Sequence, residues 1–285
     1  MTGSGGCLME RGLYGILAFF SFAMGACIAS FLNVVIWRVP RGESVVSPPS
    51  HCPKCGKAIR WWQNMPILSW LALRGKCANC REPISPRYIL VETLGGVLFL
   101  AAFVRYGVWA PAMWFWLALM IVGSFIDFDH QLLPDFVTVG GMIYGVLLAL
   151  GSWLLSWKVA CVPFFADGPF ACPVYNSLLG LAFGFGLLWL VRFLGSLAFR
   201  REAMGLGDVF LMGAIGAIFG PVAVLVSLIL SSVFGSVVGL SMVALSKTRF
   251  GKFVEIPYGP YICLGCLCWM FFGWELVTWY LKLLK

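Results

Sequence analysis

The chain has 285 residues, of which 61% are apolar, 16% aromatic and only 11% charged, with a net charge of +8 and a mean hydropathy of +0.92. Soluble domains carry about a quarter of their residues as Asp, Glu, Lys and Arg. This composition therefore excludes a soluble globular protein, a disordered chain and a nucleic-acid-binding domain, and leaves an all-α polytopic membrane protein.

A hydrocarbon core of about 30 Å takes roughly 20 apolar helical residues. Residues 13–37, uncharged over 25 positions, predict the first span. Its length and the lack of a small-residue cleavage site mark it as retained rather than as a removed signal peptide. Residues 88–104 and 106–126 predict the second and third spans, 136–157 the fourth, and 174–199 the fifth, with Arg192 near its end. The stretch 209–246 holds no charge in 38 residues, too long for one crossing. Gly220-Pro221 is the natural break, giving spans of 205–220 and 221–246. Residues 256–281 are the eighth.

Eight spans put both termini on one side. With the termini outside, the inside segments 38–87, 127–135, 200–208 and 247–255 hold nine, none, two and three Lys/Arg. The outside segments hold only Arg11, Arg105, Lys158, Lys282 and Lys285. Positive residues accumulate on the cytoplasmic side, so the termini are expected outside and 38–87 in the cytoplasm. The +8 thus reports orientation and does not argue for nucleic acid. Three divisions follow: an N-terminal segment with the first span (1–37), a cytoplasmic loop domain (38–87) and a seven-helix membrane domain (88–285).

The loop 38–87 carries Cys52-Pro-Lys-Cys55 and Cys77-Ala-Asn-Cys80, two CxxC knuckles with 21 residues between them. Such pairs supply four thiolates in the usual structural zinc arrangement, and a module this small gains from a metal staple. The alternatives are four reduced thiols or two disulfides, the latter disfavoured in a reducing cytoplasm. Four sulfur ligands close the site, so the metal is expected to be structural. His51 could substitute as a ligand but reads better as a solvated loop histidine. Cys161 and Cys172 flank an outer loop where a disulfide is plausible. Cys263-Leu-Gly-Cys266, inside a span, reads as small-residue packing rather than as a redox pair.

Ionisable residues at the membrane boundary are costly and mark candidates for function: Glu92, Asp127, Asp129, His130, Asp135, Arg192, Asp208 and Glu275. Asp127 ends span three and Asp208 begins span six within Gly205-Leu-Gly-Asp208. Both fall on the cytoplasmic side, although 81 positions separate them in sequence. Two close carboxyls in a poorly hydrated site share a proton, so one can act as a base on water while the other, as an acid, polarises a peptide carbonyl. From this chemistry alone, a structural or ion-transporting carboxylate pair remains the alternative.

Further motifs occur in order: Ala29-Ser-Phe-Leu-Asn-Val-Val-Ile36, Asn64-Met-Pro-Ile-Leu-Ser69, Ile84-Ser-Pro-Arg-Tyr88 with Val91-Glu92, and Phe125-Ile-Asp127-Phe-Asp-His-Gln-Leu-Leu-Pro-Asp135. With the cysteine pairs and Gly205-Leu-Gly-Asp208, they cover nearly the whole chain. The chain resembles the bacterial type IV prepilin peptidases, leader peptidase/N-methyltransferases of the inner membrane. The resemblance implies an eight-span fold and a GxGD-type aspartyl protease with Asp127 and Asp208 as the catalytic pair. It leaves Asp129 and Asp135 to helix-end solvation and capping. It implies prepilin and pseudopilin substrates, cleaved after a Gly at the cytoplasmic membrane face, and methylation of the new N-terminus from S-adenosylmethionine.

No Rossmann-type methyltransferase signature is visible. The family places this activity in the cysteine-bearing loop and adjoining helices, which makes Glu92 and Gly96 candidates, with an intramembrane polar contact and close helix packing as their alternatives. The loop between spans four and five departs from the family in its length. Two rival functions stand beside this reading: a peptidase without methyl transfer, and a non-catalytic assembly factor or carboxylate-based transporter.

Overall fold

The computed structural model describes residues 4–154, 173–200, 202, 204–245 and 257–283, among which the chain is helical and no strand occurs. Nine α-helices are present there: α1 (Ser4–Arg38), α2 (Leu68–Ala72), α3 (Arg87–Tyr106), α4 (Ala110–His130), α5 (Asp135–Leu154), α6 (Pro173–Phe199), α7 (Leu206–Phe219), α8 (Pro221–Leu245) and α9 (Gly259–Leu283). Apart from the short α2, each covers one of the eight predicted apolar runs. Cys161 and Cys172 lie outside the described residues.

By length and composition six segments can cross a membrane, Arg87–His130 counting as one although it contains both α3 and α4. Gly107, at φ 58°, breaks that segment. Helix α7 has only 14 residues, about 21 Å at 1.5 Å per residue. It is buried almost throughout, from Asp208 and Val209 to Phe219, which explains why its sequence is apolar all round. Gly220, at φ 84°, and Pro221 then end α7 and start α8. Large apolar side chains such as Phe19, Ile143, Leu197 and Val237 stand exposed on the long helices, as a surface facing lipid requires.

The chain forms two compact units, residues 1–122 and 123–285. In the first, α1 lies directly against α3: a Cβ added at Gly25 would come 2.5 Å from the Gly95 carbonyl oxygen. Small residues allow this approach where lipid supplies no hydrophobic drive between helices. Helix α3 meets the first half of α4 through the stacked rings of Phe99 and Trp114, 5.3 Å apart, and Trp114 Nε1 donates to the Phe99 carbonyl at 2.9 Å.

In the second unit α7 is the central element, in contact with α5, α6, α8 and α9. At Gly180 on α6 and Gly216 on α7 the two backbones touch, and a Cβ on either would overlap the other's carbonyl. Ser177 Oγ donates to the Ala217 carbonyl at 2.6 Å beside this crossing. Such packing locks the second half of α7 against α6.

Candidate functional site

Asp127 lies one turn before the C-terminal end of α4, and Asp208 lies in the first turn of α7. Both are buried, at 5% and 7% exposure, whereas Asp129 and Asp135 are exposed. The structure therefore separates the candidate pair from its sequence neighbours. Asp127 and Asp208 are within electrostatic reach of one another, and a Cβ on Gly205 would come 3.5 Å from Asp208 Oδ2.

The Asp127 carboxylate is held by a group that carries no side-chain signal. Its Oδ2 accepts the Gly259 N–H at 3.0 Å. Gly259 is the first residue of α9, so this N–H is one of the donors a helix leaves unpaired at its start. The positive end of the α9 dipole points at the same oxygen. There is no room for a side chain: a Cβ at Gly259 would come 2.7 Å from Asp127 Oδ2.

Leu133, in the connection between α4 and α5, closes the arrangement. A Cβ at Gly207 would come 2.7 Å from Leu133 Cβ, one at Gly259 3.3 Å from its Cδ1, and one at Gly123 3.4 Å from its Cδ2. One leucine thus wedges between the start of α7, the start of α9 and the last turns of α4, setting the spacing of the elements that carry the two aspartates. Tyr258, just before Gly259, anchors the same corner, its hydroxyl lying 2.8 Å from Ser231 Oγ and 3.3 Å from Ser232 Oγ of α8. Sequence reading missed Gly259, Leu133 and Tyr258. The Pro257-Tyr-Gly-Pro260 run, a glycine between prolines at a helix start, is the signal that could have pointed to them.

The other sequence candidates fall elsewhere. Arg192 reaches Glu202 at 3.2 Å and also donates to the Met204 carbonyl, tying down the segment that leads into α7. His130 and Glu275 are exposed. Cys263 and Cys266 are buried and unbridged in α9. A Cβ on Gly265 between them would come 2.5 Å from the Ser227 carbonyl oxygen of α8, which is packing rather than redox geometry.

In the first unit the four loop cysteines converge. Cys52, Cys55, Cys77 and Cys80 bring their sulfurs within 4.8 Å of one another, an arrangement that can hold a metal ion; His51 is not among them. The two knuckles repeat each other. Gly56 N–H donates to the Cys52 carbonyl at 2.9 Å and Arg81 N–H to the Cys77 carbonyl at 3.1 Å, while Cys52 N–H bonds Lys57 and Cys77 N–H bonds Glu82. The residues after the second cysteines, Gly56 and Arg81, take φ 67° and 61°. Backbone N–H groups of Cys80 and Asn79 aim at the Cys77 sulfur and bring its thiol down to about 6; those of Cys55 and Lys54 lower Cys52 in the same way. At these two positions the thiolate is therefore favoured, as metal ligation requires. At Cys80 the pull of the Glu82 backbone N–H is outweighed by burial and the three neighbouring thiols, which push its thiol up to about 11. A tetrahedral zinc–thiolate bond of about 2.3 Å places sulfurs about 3.8 Å apart, and Cys52 and Cys80 sulfurs are separated by 3.8 Å.

Glu92 and Gly96 lie on the face of α3 turned to α1. Glu92 is buried and its Oε2 accepts the Ile67 N–H at 2.7 Å. A Cβ on Gly96 would come 2.7 Å from the Phe22 ring, so Phe22 already fills the space this glycine leaves.

The fold and these sites define a polytopic helical membrane protein with a buried aspartate pair in one unit and a four-cysteine cluster in the other. The sequence model of the Bacterial Peptidase A24 N-terminal domain matches residues 23–106, and that of the Type IV leader peptidase family matches residues 114–240. The chain is 40% identical to a prepilin leader peptidase/N-methyltransferase of Myxococcus xanthus, over 86% of this chain and 68% of that protein. It is 33% identical to the proteins of the same name from Pseudomonas putida, over 90% and 88% of the two chains, and Legionella pneumophila, over 94% of each. No solved structure matches. The chain belongs to the type IV leader peptidase family.

Proposed function

We propose that this protein is a membrane aspartic endopeptidase that removes the leader of type IV prepilins and type II secretion pseudopilins after a glycine, and then methylates the new N-terminus from S-adenosylmethionine. The observation that carries the peptidase reading is the buried pair Asp127 and Asp208, separated by 81 positions in sequence yet within electrostatic reach. One carboxylate takes a proton from water as the water oxygen adds to the scissile carbonyl carbon. The other, protonated, donates to the carbonyl oxygen. As the C–N bond breaks, the leaving nitrogen takes up a proton and becomes the free amine of the mature pilin.

The names of the relatives support the methyl transfer. S-adenosylmethionine supplies a methyl group on a sulfonium, and the free amine made by cleavage is its acceptor. Glu92 and Gly96 are the residues proposed to serve this step. The four cysteines are proposed to hold a structural zinc; no step of the cleavage uses it. Functionally the chain divides into 1–37, a zinc-stapled loop 38–87 and a seven-helix peptidase domain 88–285. The compact units cut across the last division because α3 packs on α1. The excess of Lys/Arg in 38–87 supports an inner-membrane protein with both termini in the periplasm and the aspartate pair and zinc loop facing the cytoplasm.

The test is cleavage of a prepilin from the same organism by Asp127→Asn and Asp208→Asn variants that still insert. Each should lose ~10²–10⁴-fold in rate; normal cleavage by either removes the pair from the mechanism. Labelled S-adenosylmethionine with processed pilin tests methylation, and no label on the pilin leaves a peptidase alone.

A further inference from the structure

Glu92 holds a piece of strained backbone. Ile67 takes φ 63° and ψ −53°, and Leu68 N–H bonds the Pro66 carbonyl at 2.5 Å across it. These are the marks of a γ-turn of the rare, strained hand, here centred on a β-branched residue that disfavours positive φ. Backbone of this kind persists only when its surroundings over-determine it. The restraint comes from α3: the Ile67 N–H, turned outward by the γ-turn, is met by Glu92 Oε2 at 2.7 Å. One buried side chain thereby ties α3 to the loop.

The turn it holds borders a cavity. A space of ≈ 260 Å³ lies between the C-terminal half of α1 and the loop, and Ser30, Phe31, Arg38, Val46, Asn64 and Pro66 are among its lining residues. Glu92 and Gly96 are not among them. Arg38 is buried and fixes the opposite wall, donating to the Ser44 carbonyl at 2.9 Å and the Pro48 carbonyl at 2.8 Å. The Asn64–Pro66 wall has its own fastening one residue on, at Ile67.

We propose that Glu92 is a positioning residue for methyl transfer: by holding the γ-turn at Ile67 it sets the Asn64–Pro66 wall of this cavity, without touching donor or amine. The proposal rests on the methyltransferase reading above. It separates two roles that the position of Glu92 leaves mixed. A general base for the amine must ionise, whereas a hydrogen-bond acceptor for Ile67 need not. Glutamine, whose carbonyl oxygen can accept the same N–H, should therefore replace glutamate.

The experiment uses the full chain in lipid nanodiscs, labelled S-adenosylmethionine, processed pilin, and hydrogen–deuterium exchange at the Ile67 amide. Glu92→Ala should lose methylation at least tenfold and exchange the Ile67 amide at least tenfold faster. Glu92→Gln should stay within about threefold of the parent in both. Adding Ile67→Gly to Glu92→Ala should recover methylation severalfold, because glycine adopts the turn without strain. The proposal is overturned if Glu92→Ala methylates normally, or if Glu92→Gln is as inactive as Glu92→Ala with its Ile67 amide still protected. A parent protein that transfers no methyl at all would instead sink the methyltransferase reading, and the amide exchange of the variants would still decide whether the clamp exists.

Discussion

Gly259→Ala asks whether a backbone N–H orients the Asp127 carboxylate. The added Cβ would stand 2.7 Å from Asp127 Oδ2 and 3.2 Å from its Cγ, against about 3.4 Å for ordinary contact. The carboxylate must withdraw by about 0.7 Å, which stretches the 3.0 Å bond from Gly259 beyond hydrogen-bonding range. A hydrogen bond to a charged acceptor contributes about 1.5–3 kcal/mol, and about 1.4 kcal/mol is tenfold in rate. A misplacement approaching 1 Å in a catalytic group costs on the order of 10²-fold by itself. The expected outcome is a fall in kcat for prepilin cleavage of about 10²-fold, with KM changed little because the substrate does not bind through this contact. Steady-state cleavage in nanodiscs measures both, and insertion with unchanged thermal stability shows that the fold survives. A variant that cleaves at the parent rate would refute the reasoning, since the carboxylate would then not depend on its partner at the start of α9.

Three further outcomes follow from the same geometry. Tyr258→Phe removes the hydroxyl contacts to Ser231 and Ser232, worth about 1 kcal/mol in sum, and should slow cleavage about three- to tenfold without preventing insertion. Gly216→Ala drives a methyl into the Gly180 backbone, where no flexible side chain can yield; overpacking costs about 1–3 kcal/mol or more, so a thermal-shift assay should show clear destabilisation and an unchanged midpoint would contradict the close α6–α7 crossing. Metal analysis should find one zinc per chain, and a chelator should speed proteolysis of the 38–87 loop while cleavage by preformed enzyme persists; a purified protein with four reduced loop thiols and no zinc would remove the metal site.

Much of this protein is legible because lipid is an unforgiving solvent. A span needs about 20 apolar residues with its backbone bonds made internally, so the eight apolar runs announce eight helices before any packing is known. The same solvent makes charges rare, which lifts Asp127, Asp208 and Glu92 out of the chain as candidates. Cys52, Cys55, Cys77 and Cys80 are legible for another reason: a four-thiol cluster able to hold a metal imposes local spacing, and the two knuckles keep it within four residues each.

What the sequence leaves open belongs to contacts between distant segments. Asp127 and Asp129 look equivalent in one motif, yet two helical steps turn side chains about 200° apart, and only the packing around α4 decides which is buried. The donor to Asp127 is a backbone N–H, and every residue but proline has one, so Gly259 became visible only when α9 was seen to start against α4. That α7 is enclosed by four neighbours is likewise a property of the packing. Glu92 and Gly96 were readable as important but not as to how: their meaning lies in the Ile67 turn and the Phe22 ring that they face. The sequence by itself determined the membrane class, the eight long apolar helices, the four-cysteine cluster and the short roster of ionisable candidates, because each follows from local composition and spacing. The tertiary structure decided which carboxylates meet, what orients them and what fills the glycine gaps, because those depend on which helix ends the packing brings together.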